Sequence, residues 1–279
     1  MENNLEQQNK HSLNVKLYPV ENLQFLLTAG PDLISTQIKK GQYWDQFTLI
    51  LSEHFLRDID EPVFIDIGAN LGAISIPIAK LIQSRQGVVH SFEAQRGVFY
   101  QLCGNIFANH LTQTCHAYHL AIGNKQGTIE VPILDLHTEN NVGALSLDAK
   151  IRAEQAEHHF AHHHDKQYES VDLQKIDHLA LPFADLIKID VEGMELDVIK
   201  GAKKWLKQSN YPPIFLEIWG DYMEKQKTKK EKLIKYLTTN LGYELFFIGE
   251  LCVAQHQSHK KYNLILNDDT HQVYLEKIV

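Results

Sequence analysis

The chain has 279 residues, 44% of them hydrophobic and 22% charged, which suits one folded domain with a large core and excludes wholesale disorder. Its formal charge of −8 disfavours a broad nucleic-acid-binding face. Cys103, Cys115 and Cys252 fit neither a disulfide framework nor a CxxC metal knuckle. The opening residues lack an apolar targeting core, and no uncharged apolar run approaches the roughly 18 residues of a membrane span. The expectation is a cytoplasmic protein without a transmembrane segment, of undetermined oligomeric state.

Residues 1–12 read as a loose lead-in, and 15–55 as a helical cap with turns at Gly30-Pro31 and Gly41. The domain reading is therefore an N-terminal extension and cap over 1–55 and a core domain over 56–279. The first buried strand is Val63 to Gly68, announced by Pro62. Ile74, Ile78, Leu81 and Ile82 then mark a helix that tolerates Pro77 only near its first turn. Val88 to Phe92 is a second strand ending at Glu93, and Phe99, Leu102, Ile106 and Leu111 mark a second helix. His119 to Ile122 reads as a third strand, followed by a Gly123-Asn124 turn and a strand from Ile129 to Leu134.

Between Asp135 and Gln167 the apolar signal weakens and histidine content rises, which reads as a polar His-rich insertion. Order returns with a strand from Leu186 to Asp190, a helix carrying Leu196, Ile199, Ala202 and Leu206, and a strand from Ile214 to Ile218. A helix from Lys229 to Thr239 precedes strands Tyr243 to Ile248 and Tyr262 to Leu266, read as antiparallel partners. This alternation favours an α/β fold with an open, mostly parallel sheet over a barrel.

The sharpest local signal is Asp66-Ile-Gly68-Ala-Asn70-Leu-Gly72, between a buried strand and a helix. Gly68 lets the chain turn, and Gly72 lets backbone and ligand approach. Ala69 and Asn70 interrupt the GxGxxG spacing of dinucleotide sites, and the preceding Asp66 suits a ligand with an amino group. Glu93 ends the next strand, where its carboxylate can accept bonds from ribose hydroxyls. The alternative is that Asp66 caps the helix and Glu93 is a solvated strand end.

A second cluster joins Lys188, Asp190, Glu192 and Glu195 around Gly193. Lys188 and Asp190 share one face of an extended strand, and Glu192 or Glu195 can complement the following helix's positive end. Asp190 is the first choice to orient a substrate hydroxyl and accept its proton, with Glu217 the second. Two alternatives stay open: divalent-cation coordination by these oxygens, and a structural ion pair of Lys188 with a carboxylate. The tract His158, His159 and His162 to His164 could hold a metal if helical, but a solvent-facing loop is favoured and no metal ligands are assigned. Lys225, Lys227, Lys229, Lys230 and Lys232 read as a solvated helix face. Trp44, Trp205 and Trp219 read as packing groups, Trp219 with the best claim on the cleft.

The chain resembles the FkbM-type methyltransferase family, within the class I S-adenosylmethionine-dependent enzymes. The resemblance rests on VFIDIGANLG from Val63, SFEA from Ser91, LAIG from Leu120, NVGALSL from Asn141, IKIDVEGMELDVIKGA from Ile187 and, more weakly, FLEIW from Phe215. It implies a Rossmann-like fold with a seven-stranded sheet whose late strand pair is antiparallel. It further implies S-adenosylmethionine as cofactor, held by Asp66, Gly68, Ala69, Asn70 and Gly72 at its methionine portion and by Glu93 at its ribose. Asn105, Ala121 and Ile122 are placed towards the adenine. The implied reaction is O-methylation of a sugar or small-metabolite hydroxyl, for which the residue reading above assigns Asp190, Glu217 and Lys188. The rivals are an NAD-dependent oxidoreductase, disfavoured by the glycine spacing, and a binding protein that retains the fold without turnover.

Overall fold

The computed structural model describes residues 15–28, 30, 32–134, 136, 143, 145–157, 167–218, 224–267 and 272–278. The tract from His158 to His164 and Trp219 lie outside them.

Its centre is a seven-stranded sheet. Four parallel strands carry the early motifs: β3 (Val63–Ile67), β4 (Val88–Glu93), β5 (Cys115–His119) and β9 (Leu186–Ile189). The sheet continues through β10 (Ile214–Glu217) to β12 (Leu251–His256) and β11 (Tyr243–Ile248), in the order β11-β12-β10-β9-β3-β4-β5. Only β12 runs against its neighbours. The near-continuous apolar runs of β3, β9 and β10 follow from burial on both faces. Phe64, Leu186 and Phe215 enter one hydrophobic cluster, while their neighbours Ile65, Ile187 and Leu216 enter the other. Strand alternation thus feeds two cores from one sheet.

Helices α3 (Ser75–Ile82) and α4 (Arg96–Ala108) follow β3 and β4, and Pro77 is tolerated because it is only the third residue of its helix. Where one helix is predicted after β9, the structure has α6 (Glu195–Gly201) and α7 (Lys203–Gln208), broken at Ala202.

The N-terminal region departs from the helical expectation. It opens with an antiparallel hairpin, β1 (Lys16–Val20) and β2 (Leu23–Leu27), before α1 (Leu33–Lys39) and α2 (Gln46–Leu56). Leu23, Phe25 and Leu27 are buried in alternation, a period of two that decides for a strand. The hairpin shares a core with Leu51, Phe55, Phe64 and Ile76. Along β2, α4 offers side chains in place of another strand. Asn109 accepts from the Gln24 amide (2.8 Å) and donates to its carbonyl (2.7 Å), and Gln101 donates to the Leu26 carbonyl (2.9 Å). Asn105 accepts from the Leu26 amide and donates to the Leu71 carbonyl at 2.8 Å. Spaced four apart, the three amides lie along one helix face. Asn105, expected near the adenine, is fully buried in this clamp.

Three further strand assignments change. The run from His119 to Ile122 is broken at Leu120: β5 ends at His119, and β6 (Ala121–Ile122) joins a separate sheet of order β6-β8-β7. That sheet contains β7 (Gly127–Pro132) and an unanticipated β8 (Tyr168–Gln174), whose Val171 and Leu173 are buried. The predicted insertion contains a helix, α5 (Ala149–Glu157). At the end of the chain, β11 pairs with β12 across Gly249-Glu250, Gly249 taking the positive φ of 58° that a two-residue hairpin turn favours. The strand from Tyr262 instead forms its own hairpin, β13 (Tyr262–Asn267) with β14 (Gln272–Lys277).

Candidate functional site

A cleft opens at the carboxyl ends of β3, β4 and β9, the place where open α/β sheets bind ligands. Of the residues singled out in the sequence, Gly68, Asn70, Glu93, Ala121, Ile122, Asp190 and Glu192 line it. Val98, Leu145, Leu147 and Met194 add apolar wall, the last three from within the motifs NVGALSL and IKIDVEGMELDVIKGA.

Gly68 must be glycine on two counts. Its φ is 81°, and a Cβ there would stand 1.7 Å from the carbonyl oxygen of Asp190. β3 and β9 therefore converge under the loop. Beyond it, Asn70 turns left-handed at φ 52° and points its N–H at Glu93, 2.9 Å from Oε2. The Gln95 N–H donates to Oε1 at 2.8 Å. The Ala94 N–H bonds the same carboxylate, which keeps acceptor capacity for one further donor. Burial raises the Glu93 carboxyl to about 7, against the pull of its backbone donors.

Asp66, Ala69 and Gly72 do not line the cleft. Asp66 lies beneath it with no exposed surface, accepting from Ser75 Oγ at 2.6 Å and from Lys188 Nζ at 3.4 Å. Register explains this, because Asp66 faces Lys188 in β9 on one side and Ser91 in β4 on the other. Ala69 donates its N–H to the Phe92 carbonyl, and Gly72 makes room for Leu102 and Ile76.

Lys188 joins this layer to the acidic cluster. Its ammonium stands 3.2 Å from Asp190 and 3.4 Å from the Gly68 carbonyl. Burial opposes the charge, but Asp190, Asp66 and Glu217 outweigh it and hold Lys188 firmly protonated. Repulsion from Asp190, then burial, pushes Glu217 up to about 9, so Glu217 keeps its proton at neutral pH beside Asp190. Glu195 accepts from Gly193 N (2.9 Å) and Val191 N (3.3 Å), fixing the loop after β9. Lys188 and Glu217 face a second cleft, walled by Trp44, Phe47, Ile248 and Glu250. Asp190 lies between the two clefts, bonded to Lys188 and Glu217 and lining the first.

In the comparison to known families, residues 66–245 match the Methyltransferase FkbM domain. The chain belongs to the FkbM methyltransferase family. The span matched by the family includes Asp66, Glu93, Asp190 and Glu217, while Trp44 and Phe47 precede it and Ile248 and Glu250 follow it, so those walls of the second cleft lie outside it.

Among solved structures, the chain is similar to a methyltransferase FkbM from Methylobacillus flagellatus (19% identity, TM-score 0.45), with 70% of this chain and 43% of that one covered. This FkbM-family chain thus spans less than half of that relative. It is also similar to a precorrin-6y methyltransferase from Geobacter metallireducens (16% identity, TM-score 0.43), covering 76% of this chain and 88% of that one. An O-methyltransferase from Bacillus cereus in complex with SAH is 12% identical with a TM-score of 0.43, covering 75% and 80%. No curated protein matches the sequence. Among the described residues, no helix is long and apolar enough to cross a membrane, and no three His, Cys, Asp or Glu side chains are grouped to hold a metal ion.

Proposed function

We propose that this FkbM-family protein is a cytoplasmic enzyme that transfers a methyl group from S-adenosylmethionine to a hydroxyl of a carbohydrate or small-molecule acceptor. The observation that carries this reading is Glu93, held at the cleft end of β4 by the Asn70, Gln95 and Ala94 amides with acceptor capacity to spare. The cleft also fits the cofactor through the bare backbone of Gly68 and through a buried Glu192 oxygen without a partner.

Gly68 and Asn70 would hold the methionine portion, Glu93 the ribose, and Ala121 and Ile122 the adenine face. Asp66 supports the loop from below through Ser75 and Lys188. When bound, S-adenosylmethionine supplies a methyl group already activated by its sulfonium, so the protein needs alignment and water exclusion more than a nucleophile. Asp190 orients the acceptor hydroxyl and takes its proton, Lys188 holds that carboxylate in place, and Glu217, kept protonated beside it, leaves Asp190 as the acceptor. The acceptor enters from the cleft of Trp44, Phe47 and Glu250.

The test is incubation with methyl-labelled S-adenosylmethionine and fractionated carbohydrate and small-molecule extracts, followed by mass identification of the product. A hydroxyl-methylated product is expected. Tight cofactor binding with no product from any fraction would instead favour a binding protein that retains the fold.

A further inference from the structure

Glu192 is the second residue beyond Asp190 and one of the few non-glycine residues with a left-handed backbone, at φ 53°. It is 7% exposed and lines the same cleft as Glu93 and Asp190. Its Oε2 is buried with no hydrogen-bond partner, and among the described residues no other buried carboxylate oxygen is in that position. Every neighbouring acid is engaged. Glu93 holds three backbone amides, Glu195 holds Gly193 and Val191, Asp66 holds Ser75 and Lys188, and Asp190 holds Lys188.

A buried carboxylate with an idle oxygen on a strained backbone is costly, and such costs persist where a ligand relieves them. The sequence offers Asp66 for a ligand amine, but Asp66 has no exposed surface and both its oxygens are occupied. Glu192 has what Asp66 lacks: a place in the lining and a free oxygen.

We propose that Glu192 is the anionic partner of a protonated amine on the ligand of this cleft. On the reading above, which this inference rests on, the amine is the α-ammonium of the cofactor's methionine portion. The charges around Glu192 give the direction of its pH dependence. Burial, then Asp190, Glu217 and Glu195, favour its neutral acid, and Lys188 alone opposes them. From the helix packed on the other side, Lys229 is engaged by Asp148 (2.6 Å) and by the Gly193 carbonyl (2.9 Å). An arriving ammonium tips the balance to carboxylate, so affinity for an amine-bearing ligand rises with pH.

Calorimetry of the wild type and Glu192→Gln with two ligands tests this. S-adenosylhomocysteine carries the ammonium; 5′-methylthioadenosine keeps the nucleoside and sulfur but lacks the amino-acid end. The variant is expected to lose at least about tenfold in affinity for the first and to stay within about twofold for the second. In buffers of different ionisation enthalpy, the wild type should release more protons with S-adenosylhomocysteine than with 5′-methylthioadenosine, and Glu192→Gln should erase that difference. Unchanged affinity for S-adenosylhomocysteine in the variant overturns the assignment, as does equal loss for both ligands. A wild type that binds neither ligand overturns the cofactor reading itself, and this inference with it.

Discussion

Lys188 in β9 and Asp66 in β3 stand opposite each other in register, ammonium 3.4 Å from a carboxylate that has no exposed surface. The Lys188 side chain is itself only 12% exposed, and Asp190 closes the other side at 3.2 Å. Lys188→Met would leave two carboxylates facing each other without their cation. Removing one partner of a buried pair costs about 3–5 kcal/mol, so denaturant unfolding should show a loss of that order. The double variant Lys188→Met/Asp66→Asn should recover part of it, because the orphaned charge goes too. A loss below about 1 kcal/mol for the single variant would mean that the pair is solvated and contributes little.

Asn109 closes two hydrogen bonds onto the backbone of Gln24, and Asn105 links Leu26 to Leu71 in the glycine loop. Asn109→Ala strands an amide and a carbonyl of β2 near the core, for an expected loss of about 1–3 kcal/mol. Asn105→Ala should cost at least as much and also weaken S-adenosylhomocysteine binding, since it frees Leu71 beside the Asn70 turn. Equal binding by both variants would show that the hairpin and the loop are uncoupled.

These two relationships mark where the sequence was legible. The run from Val63 to Gly72 announces itself locally, since a buried strand followed by glycines has few other readings, and Glu93 follows from the next strand's end. Asp66, in the same motif, looked like a ligand contact because nothing local says that a lysine 122 residues away lies opposite it. Leu120 is another such place: its N–H still reaches the Glu93 carbonyl, and then Ala121 turns to Leu173 in a different sheet. β12 was hidden because the polar Gln255-His256-Gln257-Ser258 end masked the short buried run Cys252-Val253-Ala254. Pairing, unlike periodicity, is set by distant chain.

Glu217 makes a pH-dependent prediction. Its carboxyl is raised from 4.5 to about 9 by Asp190 and by burial, with Glu250 adding and Lys188 opposing. A carboxyl with a raised folded value binds its proton more tightly when folded, so its contribution is full below about 4.5 and is lost as pH climbs through about 9. Glu217→Gln cannot ionise and escapes that loss. The variant should therefore melt close to the wild type at about pH 5.5 and about 4 °C or more above it at about pH 8.5. A gap that shrinks with rising pH would reverse the assignment of a raised Glu217 carboxyl.

Glu93 gives the most direct test of the cleft. Its two oxygens collect the Asn70 and Gln95 amides, and so decide how the glycine loop meets the end of β4. Glu93→Ala removes both acceptors and the proposed ribose contact together. Stability should fall by about 1–3 kcal/mol and affinity for S-adenosylhomocysteine by more than about tenfold. Glu93→Gln separates the effects, because its amide oxygen can still accept one backbone N–H while the charge is gone. It should fold nearly as well as the wild type yet bind both S-adenosylhomocysteine and 5′-methylthioadenosine less tightly, since each carries the ribose. Glu192→Gln should discriminate between those ligands and Glu93→Gln should not, so the pair of variants maps opposite ends of one bound molecule. A Glu93→Gln protein with undiminished affinity for both would place the ribose elsewhere and leave Glu93 as a structural tie between two strands.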